Sequence, residues 1–354
     1  MSDYLKGFQP PHQLKLHLPS LVLSTLLALR GLRSTSLSKS GAVAALVYGY
    51  VTLASPLRLF GVCLLGFYLA GSKATKVKSQ IKATFEEPEH PSPPSTPRNT
   101  ASTAAASETE KKKHSGGGGR RTATQVACNA LVGSVCSILW RYLYSGEFSS
   151  SASTSVVWGK EDRWCAIERF GEGDSRRWSR VLIFAAVAFW SACCGDTFAS
   201  ELGILAKQSP ILITRPFSGS VPRGTNGGIT VWGLTVSALG GVVVGALAVI
   251  CLLVQGQSRS CGGGVSWMIE LIAVAAASGL GGSLLDSLLG ALFQPTYYST
   301  SRKLVVHSST SRKTDDDKII KVQGTAIFGP WLSNNGVNAV MGLATSLVVA
   351  FLVK

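Results

Sequence analysis

The chain has 354 residues, 46% of them hydrophobic and only 15% charged, with a net charge of +15. Soluble domains carry roughly 25% charged residues, so this composition excludes an ordinary soluble domain and points to a membrane protein. The Lys and Arg stand in loops between apolar segments, where they suit topology and anionic headgroups; no aromatic-basic groove accompanies them, and nucleic acid binding is not expected.

Residues 1–11 are polar, and residues 14–29 read as a first short membrane helix or an amphipathic surface segment, stopped by Arg30, Arg33 and Lys39. The acid-poor, Ser- and Arg-containing start is similar to an organelle transit peptide, although its hydrophobicity suits an anchor better. Apolar runs at 41–54 and 57–70 are split by Ser55-Pro56, and each is shorter than the ~20 residues of a straight span. They are expected as two tilted helices or a hairpin within the membrane. The basic stretch at 72–78 then reads as a positive-inside anchor, with a phosphate-contacting lysine as the sharper alternative.

Residues 86–121 form a linker, rich in Pro, Ser, Thr, Ala and Gly. Such a composition cannot bury enough apolar surface to offset its ordering entropy, so disorder is expected. Gly116 to Gly119 lack a following Lys-Ser/Thr and are not a P-loop. A further span is expected at 124–144, with Asn129 inside it, followed by a polar loop to 179 whose Trp158, Trp164 and Trp178 suit interfacial anchoring.

An apolar helix beginning at Val181 meets two carboxylates, Asp196 and Glu201, before it ends. The clearest span is 229–254, on which Gly233, Ser237, Gly241 and Gly245 repeat every four residues as a stripe for close helix contact. In the next helix, 265–293, Gly279, Gly282, Ser283, Asp286 and Gly290 share a face, so Asp286 belongs to the packing side. A basic loop at 296–323 precedes the last helix, 337–353.

The expectation is an all-α, polytopic transmembrane helical bundle of seven to nine segments. Its parts are 1–85 with the basic cap, the linker 86–121, and a main membrane domain 122–354. The loops after Ala70, Tyr144 and Phe293 all read as basic, and simple alternation cannot place all three on one side.

Cysteine and histidine narrow the chemistry. Cys63, Cys128, Cys136, Cys193, Cys194 and Cys251 lie in or beside apolar segments without a C-x-x-C pair, which reads as neither a zinc site nor a disulfide framework. The five histidines fall at the N-terminus or in polar loops, away from any membrane site. Chemistry at membrane depth is left to carboxylates, hydroxyls, amides and backbone.

Four acids lie in apolar segments, where charge is costly and is usually paired or functional: Asp196, Glu201, Glu270 and Asp286. Glu270, near Trp267, is expected at the interface. Asp196 and Glu201 point about 140° apart on a regular helix at 100° per residue, so either the helix breaks near Gly195 or the two have separate partners. The turn Arg223-Gly224-Thr225-Asn226-Gly227-Gly228 precedes a long helix, whose N-terminus attracts anions. It reads either as a phosphate cradle or as a tight helix–helix connection. An ion pair of Asp196 or Asp286 with Arg223 is a further alternative, and Asn334, Asn335 and Asn338 serve equally as helix caps.

Four motifs, Gly195-Asp196-Thr197-x-Ala199-Ser200-Glu201-x-Gly203, Val221-Pro222-x-Gly224-Thr225-Asn226-Gly227-Gly228-Ile229-Thr230, Gly282-Ser283-x-x-Asp286-Ser287-x-x-Gly290 and Asn334-Asn335-x-Val337-Asn338, together resemble the integral membrane family named after transmembrane protein 19. That family has a plant branch that includes phytyl-phosphate kinase, and the first motif with the glycine turn is also similar to membrane CTP-dependent polyprenol kinases. The resemblance implies that Asp196, Glu201 and Asp286 hold Mg²⁺ and carry catalysis. It also implies that Arg223, Gly224, Thr225, Asn226, Gly227 and Gly228, with Asn334 and Asn335, bind nucleotide or lipid phosphate.

The partners so implied are a membrane lipid, an isoprenoid monophosphate as substrate and a nucleoside triphosphate, with CTP suggested by the likeness to the polyprenol kinases. Ser333 stands where the resemblance leads one to expect Asp. A transporter or channel for an anionic solute, and a scaffold whose acids only pair helices, are the alternatives. The expected location is the endoplasmic reticulum or another endomembrane, with a plastid envelope as alternative.

Overall fold

A computed structural model describes residues 16–82, 85, 120–145, 158, 164–306, 318–323 and 332–354. The expected linker therefore lies outside the described residues except for Arg120 and Arg121, as do residues 1–11 and Trp331. Ser38 and Thr230 begin helices by accepting from the backbone N–H three residues on, and Thr122 with Gln125 forms a capping box.

The first unit is α1 (Leu18–Arg33), α2 (Lys39–Leu53), α3 (Leu59–Ala74) and the single turn α4 (Ser79–Lys82). Ser55-Pro56 separates α2 from α3, as expected from the restriction proline places on its predecessor. The span expected at 124–144 is two helices, α5 (Ala123–Cys128) and α6 (Leu131–Tyr144), broken at Asn129, whose side chain donates back to the Gln125 carbonyl at 2.9 Å.

The main bundle is α7 (Arg177–Phe198), α8 (Val231–Val254), the single turn α9 (Gln257–Ser260), α10 (Ser266–Phe293) and α11 (Asn334–Leu352). α7 runs through the middle, packed against α8, α10, α11, α6 and α3. Trp190, Phe184 and Phe189 on α7 are fully buried, as are Trp140, Tyr144 and Phe60. Four helices, α7 with its continuation to Gly203, α8, α10 and α11, are long and apolar enough to cross a membrane. α3 and α6 are apolar but shorter. Among the described residues four helices thus have membrane-crossing length, against the seven to nine segments expected.

Two small antiparallel sheets interrupt the all-helical expectation. β1 (Ile211–Leu212), β2 (Arg215–Ser220) and β3 (Gly228–Ile229) pair in the order β2-β1-β3. β4 (Thr296–Ser299), β5 (Leu304–Val306) and β6 (Ile319–Gln323) pair in the order β5-β4-β6 within the expected basic loop. β2 is exposed along its whole length, so no alternation of apolar residues announces it.

Three further expectations are corrected. Cys165 and Cys261 form a disulfide, with Cα atoms 4.8 Å apart, while the six cysteines in or beside apolar segments are free. Trp158 and Trp164 pack with Trp140 and Tyr144 in an aromatic cluster instead of lying at an interface, and only Trp178 of the three is exposed. The described residues after Tyr144 lie at the opposite end of the bundle from those after Ala70 and Phe293, because α6 runs antiparallel to α3 and α10. The loop also holds equal numbers of acidic and basic residues between 145 and 180, so the conflict among three basic loops disappears.

Candidate functional site

The site begins at a three-helix glycine contact. A Cβ at Gly195 of α7 would lie 2.5 Å from the Gly279 carbonyl oxygen of α10, and one at Gly240 of α8 would lie 2.8 Å from the Cys194 carbonyl oxygen. A Cβ at Gly279 would in turn lie 2.6 Å from the Ser237 carbonyl oxygen of α8. Only hydrogen fits at these positions, and the three backbones approach accordingly. The close approach of α7 and α10 sets Asp196, the next residue, against Asp286.

The carboxyls of Asp196 and Asp286 lie within hydrogen-bonding reach of each other. Among the described residues neither forms an ion pair. With its nitrogen turned toward acceptors, the Asn338 amide of α11 donates to Asp286 Oδ1 at 3.2 Å and to the Asn334 carbonyl at 3.1 Å. Asn338 is thus the asparagine that reaches the acids, whereas Asn334 is exposed in the first turn of α11. Ser333 caps that helix, its Oγ accepting from the Gly336 N–H at 3.2 Å. Ser and Asp are comparable N-caps, which accounts physically for Ser333 at that position.

Glu201 does not join the pair. The α-helix passes unbroken through Gly195 to Phe198 and continues as one π-helical turn, Ala199–Gly203, so the expected break near Gly195 does not occur and the acids have separate partners. Lys82 Nζ donates to Glu201 Oε2 at 2.6 Å and to the Ala74 carbonyl at 2.8 Å, joining the end of α3 to the π turn. Arg121 adds a second cation near Glu201. Burial draws its guanidinium below the ordinary arginine value, opposed by Tyr68 and Glu201, and it stacks over the Tyr68 ring at 5.6 Å. Sequence reasoning missed Lys82 and Arg121; the one available signal was the basic run after α3, which continues past Lys78.

The glycine turn is seated on α10 one turn beyond Asp286. Gly227 has φ +80° and lies so close to Ala291 and the Ser287 carbonyl that a side chain is excluded, and Gly224 has φ +84°. Much of the turn's polarity holds it together. Thr225 Oγ1 donates to the Pro222 carbonyl (2.7 Å), the Asn226 N–H to Thr296 Oγ1 (3.0 Å) and the Gly228 N–H to the Thr225 carbonyl (2.9 Å). Arg223 donates to the Lys207 carbonyl at 2.9 Å and stacks on Phe85, and pairs with neither Asp. The Asn226 side-chain amide makes no hydrogen bond among the described residues.

Glu270 lies far along α10 from Asp286, held by Arg180 (2.6 Å) and Arg169 (2.8 Å) at the other end of the bundle. Among the described residues no group of three or more His, Cys, Asp or Glu is placed to hold a metal ion. The Asp196–Asp286 pair is a two-carboxylate donor set, which suits Mg²⁺ bound through one or two carboxylates with phosphate oxygens completing the shell. Glu201, committed to Lys82, does not fit as a third ligand.

Helices of membrane-crossing length around a pair of intramembrane carboxylates define a helical integral membrane protein with a polar site at one end of its bundle. The model of integral membrane protein DUF92 matches residues 22–346, and the chain belongs to this family. It is similar to Protein PGR of Arabidopsis thaliana, 30% identical over 340 residues, 94% of this chain and 94% of that one. It is also similar to an uncharacterised membrane protein of Methanocaldococcus jannaschii, 34% identical over 117 residues, 33% of this chain and 41% of that one. No solved structure matches.

Proposed function

We propose that the protein is a Mg²⁺-dependent phosphotransferase acting on an isoprenoid monophosphate, with a nucleoside triphosphate as donor. The observation that carries this reading is the Asp196–Asp286 pair, two facing carboxyls without a cationic partner at a glycine contact of α7 and α10. Carboxylates this close repel one another unless a cation or a proton lies between them. A scaffold that needed only helix pairing would meet no such repulsion. The likeness to the family named after transmembrane protein 19, with its phytyl-phosphate kinase branch, supports the substrate class.

In this reading Asp196 and Asp286 would hold Mg²⁺, which would supply positive charge to offset that of the transferring phosphoryl group. The γ-phosphoryl passes from the nucleotide to a terminal oxygen of the lipid monophosphate, giving a lipid diphosphate and a nucleoside diphosphate. Asn338 orients Asp286 through its amide. The side-chain amide of Asn226 and the remaining N–H groups of Arg223 offer donors to phosphate. No histidine is required, since such transfer is mainly positioning and charge neutralisation. An endoplasmic reticulum or other endomembrane location fits a lipid substrate of this kind.

The test uses detergent-purified protein with CTP, ATP, UTP or GTP and Mg²⁺ against phytyl, farnesyl and geranylgeranyl monophosphates. The expected outcome is a diphosphate product that Asp196→Asn does not make. No product from folded protein with any pair removes the phosphotransferase, and nucleotide-independent uptake of an anionic solute into vesicles would then establish a transporter.

A further inference from the structure

We infer that the chain sits in its membrane with the carboxylate-bearing face on the reducing, cytoplasmic-type side and the disulfide-bearing face on the oxidising side. The helix directions define these two faces. α7 runs from Arg177, beside the disulfide end, to Asp196; α8 returns to Gln255; α10 comes back to Asp286; α11 leads away again. The shorter helices keep the same alternation. α1 and α2 meet near Leu53 at one end, where Ser20 Oγ donates to the Leu53 carbonyl, and Ser36 meets Tyr68 at the other. α3 starts beside Gln255 and ends beside Thr197.

Two physically unrelated observations choose the same side. The first is redox. Cys165, before α7, and Cys261, after α9, are bridged, and the Ala166 N–H donates to Gln257 Oε1 at 2.7 Å beside them. Such bridges persist in oxidising compartments and are rare where thiols are kept reduced. The second is charge. Roughly two thirds of the Lys and Arg among the described residues lie on the carboxylate face, the bias that cytoplasmic loops show.

On that face Lys73 closes the last turn of α3, and Lys76, Lys78, Lys82, Arg120 and Arg121 fall between α3 and α5. Besides Asp196 and Asp286, Glu201 is the sole acid among the described residues there. On the disulfide face the described residues set Glu168, Glu172, Asp174 and Glu270 against the arginines, and Asp174 and Glu270 are ion-paired. Such a face carries no comparable excess to hold it against an anionic leaflet.

This assignment stands apart from the phosphotransferase reading. Where both hold, the nucleotide is drawn from the cytoplasmic-side pool and the lipid phosphate is reached from that leaflet.

The experiment is cysteine accessibility on the full chain in sealed microsomes with their cytoplasmic side outward. Lys76→Cys and Glu172→Cys replace exposed residues on opposite faces, neither of them in the proposed site. A membrane-impermeant PEG-maleimide is expected to shift Lys76→Cys without detergent and Glu172→Cys only after detergent. Cys165 and Cys261 are expected to add their two shifts only after reduction. Labelling of Glu172→Cys with Lys76→Cys protected, or alkylation of Cys165 and Cys261 without reductant, would overturn the assignment. An inactive protein with the expected labelling would remove the phosphotransferase reading alone.

Discussion

Asp196 and Glu201 lie five residues apart and do opposite things. Asp196 meets another carboxylate, whereas Glu201 meets Lys82 in a 2.6 Å ion pair that also ties down the end of α3. Substitution should separate the two roles. Asp196→Asn or Asp286→Asn relieves repulsion, so the melting temperature in detergent should hold or rise. Activity should fall on the order of 100-fold or more, the scale of losing a preorganised charge-stabilising group; a falling melting temperature with activity retained would mark the pair as structural.

Glu201→Gln leaves Lys82, at 13% side-chain exposure, with carbonyl acceptors but no ionic partner, which should cost about 1–3 kcal/mol. In a double-mutant cycle with Lys82→Met, read by chemical unfolding, the combined loss should be smaller than the sum of the single losses.

At the scale of elements, the site depends on how closely α7, α8 and α10 approach. Gly195→Ala would press a methyl group into the Gly279 backbone, whose nearest atom lies 2.5 Å from the added Cβ. Overpacking of this kind costs typically about 1–3 kcal/mol, and because it parts α7 from α10 it should reduce activity along with the melting temperature. Gly281→Ala, on α10 beside Gly279, makes a useful comparison, since nothing lies within 4 Å of it; it should leave activity unchanged. The α11 N-cap tests a different link. Ser333→Ala should destabilise by ~1 kcal/mol through the lost bond to the Gly336 N–H, with a modest loss of activity because Asn338 rides on the same helix.

Across the whole molecule, the disulfide closes a long path. Cys165 and Cys261 are separated by 96 residues that include α7 and α8 and carry Asp196. Removing the bridge with Cys165→Ser should destabilise by about 2–5 kcal/mol and abolish the effect of reductant on the unfolding midpoint. Activity at low temperature should survive, since the bridge lies at the end of the bundle away from the carboxylates. An unchanged midpoint in the variant would mean that the bridge does not form in the folded protein. The Arg180–Glu270–Arg169 cluster fastens that same end, as the Lys82–Glu201 pair fastens the other.

The membrane class and most helices were legible in the sequence, because apolar runs, Ser or Thr caps and glycine stripes are local patterns that physics reads within a few turns. The stripe on α10 already placed Asp286 on a packing face, and the glycine turn already stood before α8. What tertiary structure alone decided was who meets whom. Asp196 faces Asp286 because Gly195 and Gly279 let two helices close up, and Glu201 faces Lys82 from 119 residues away. The Cys165–Cys261 bridge and the sheets β1–β3 and β4–β6 likewise join segments whose own residues carry weak signals. Local pattern fixes which side of a helix seeks a neighbour, but the crossing of helices far apart in sequence fixes which neighbour it finds, and the site is made of such meetings.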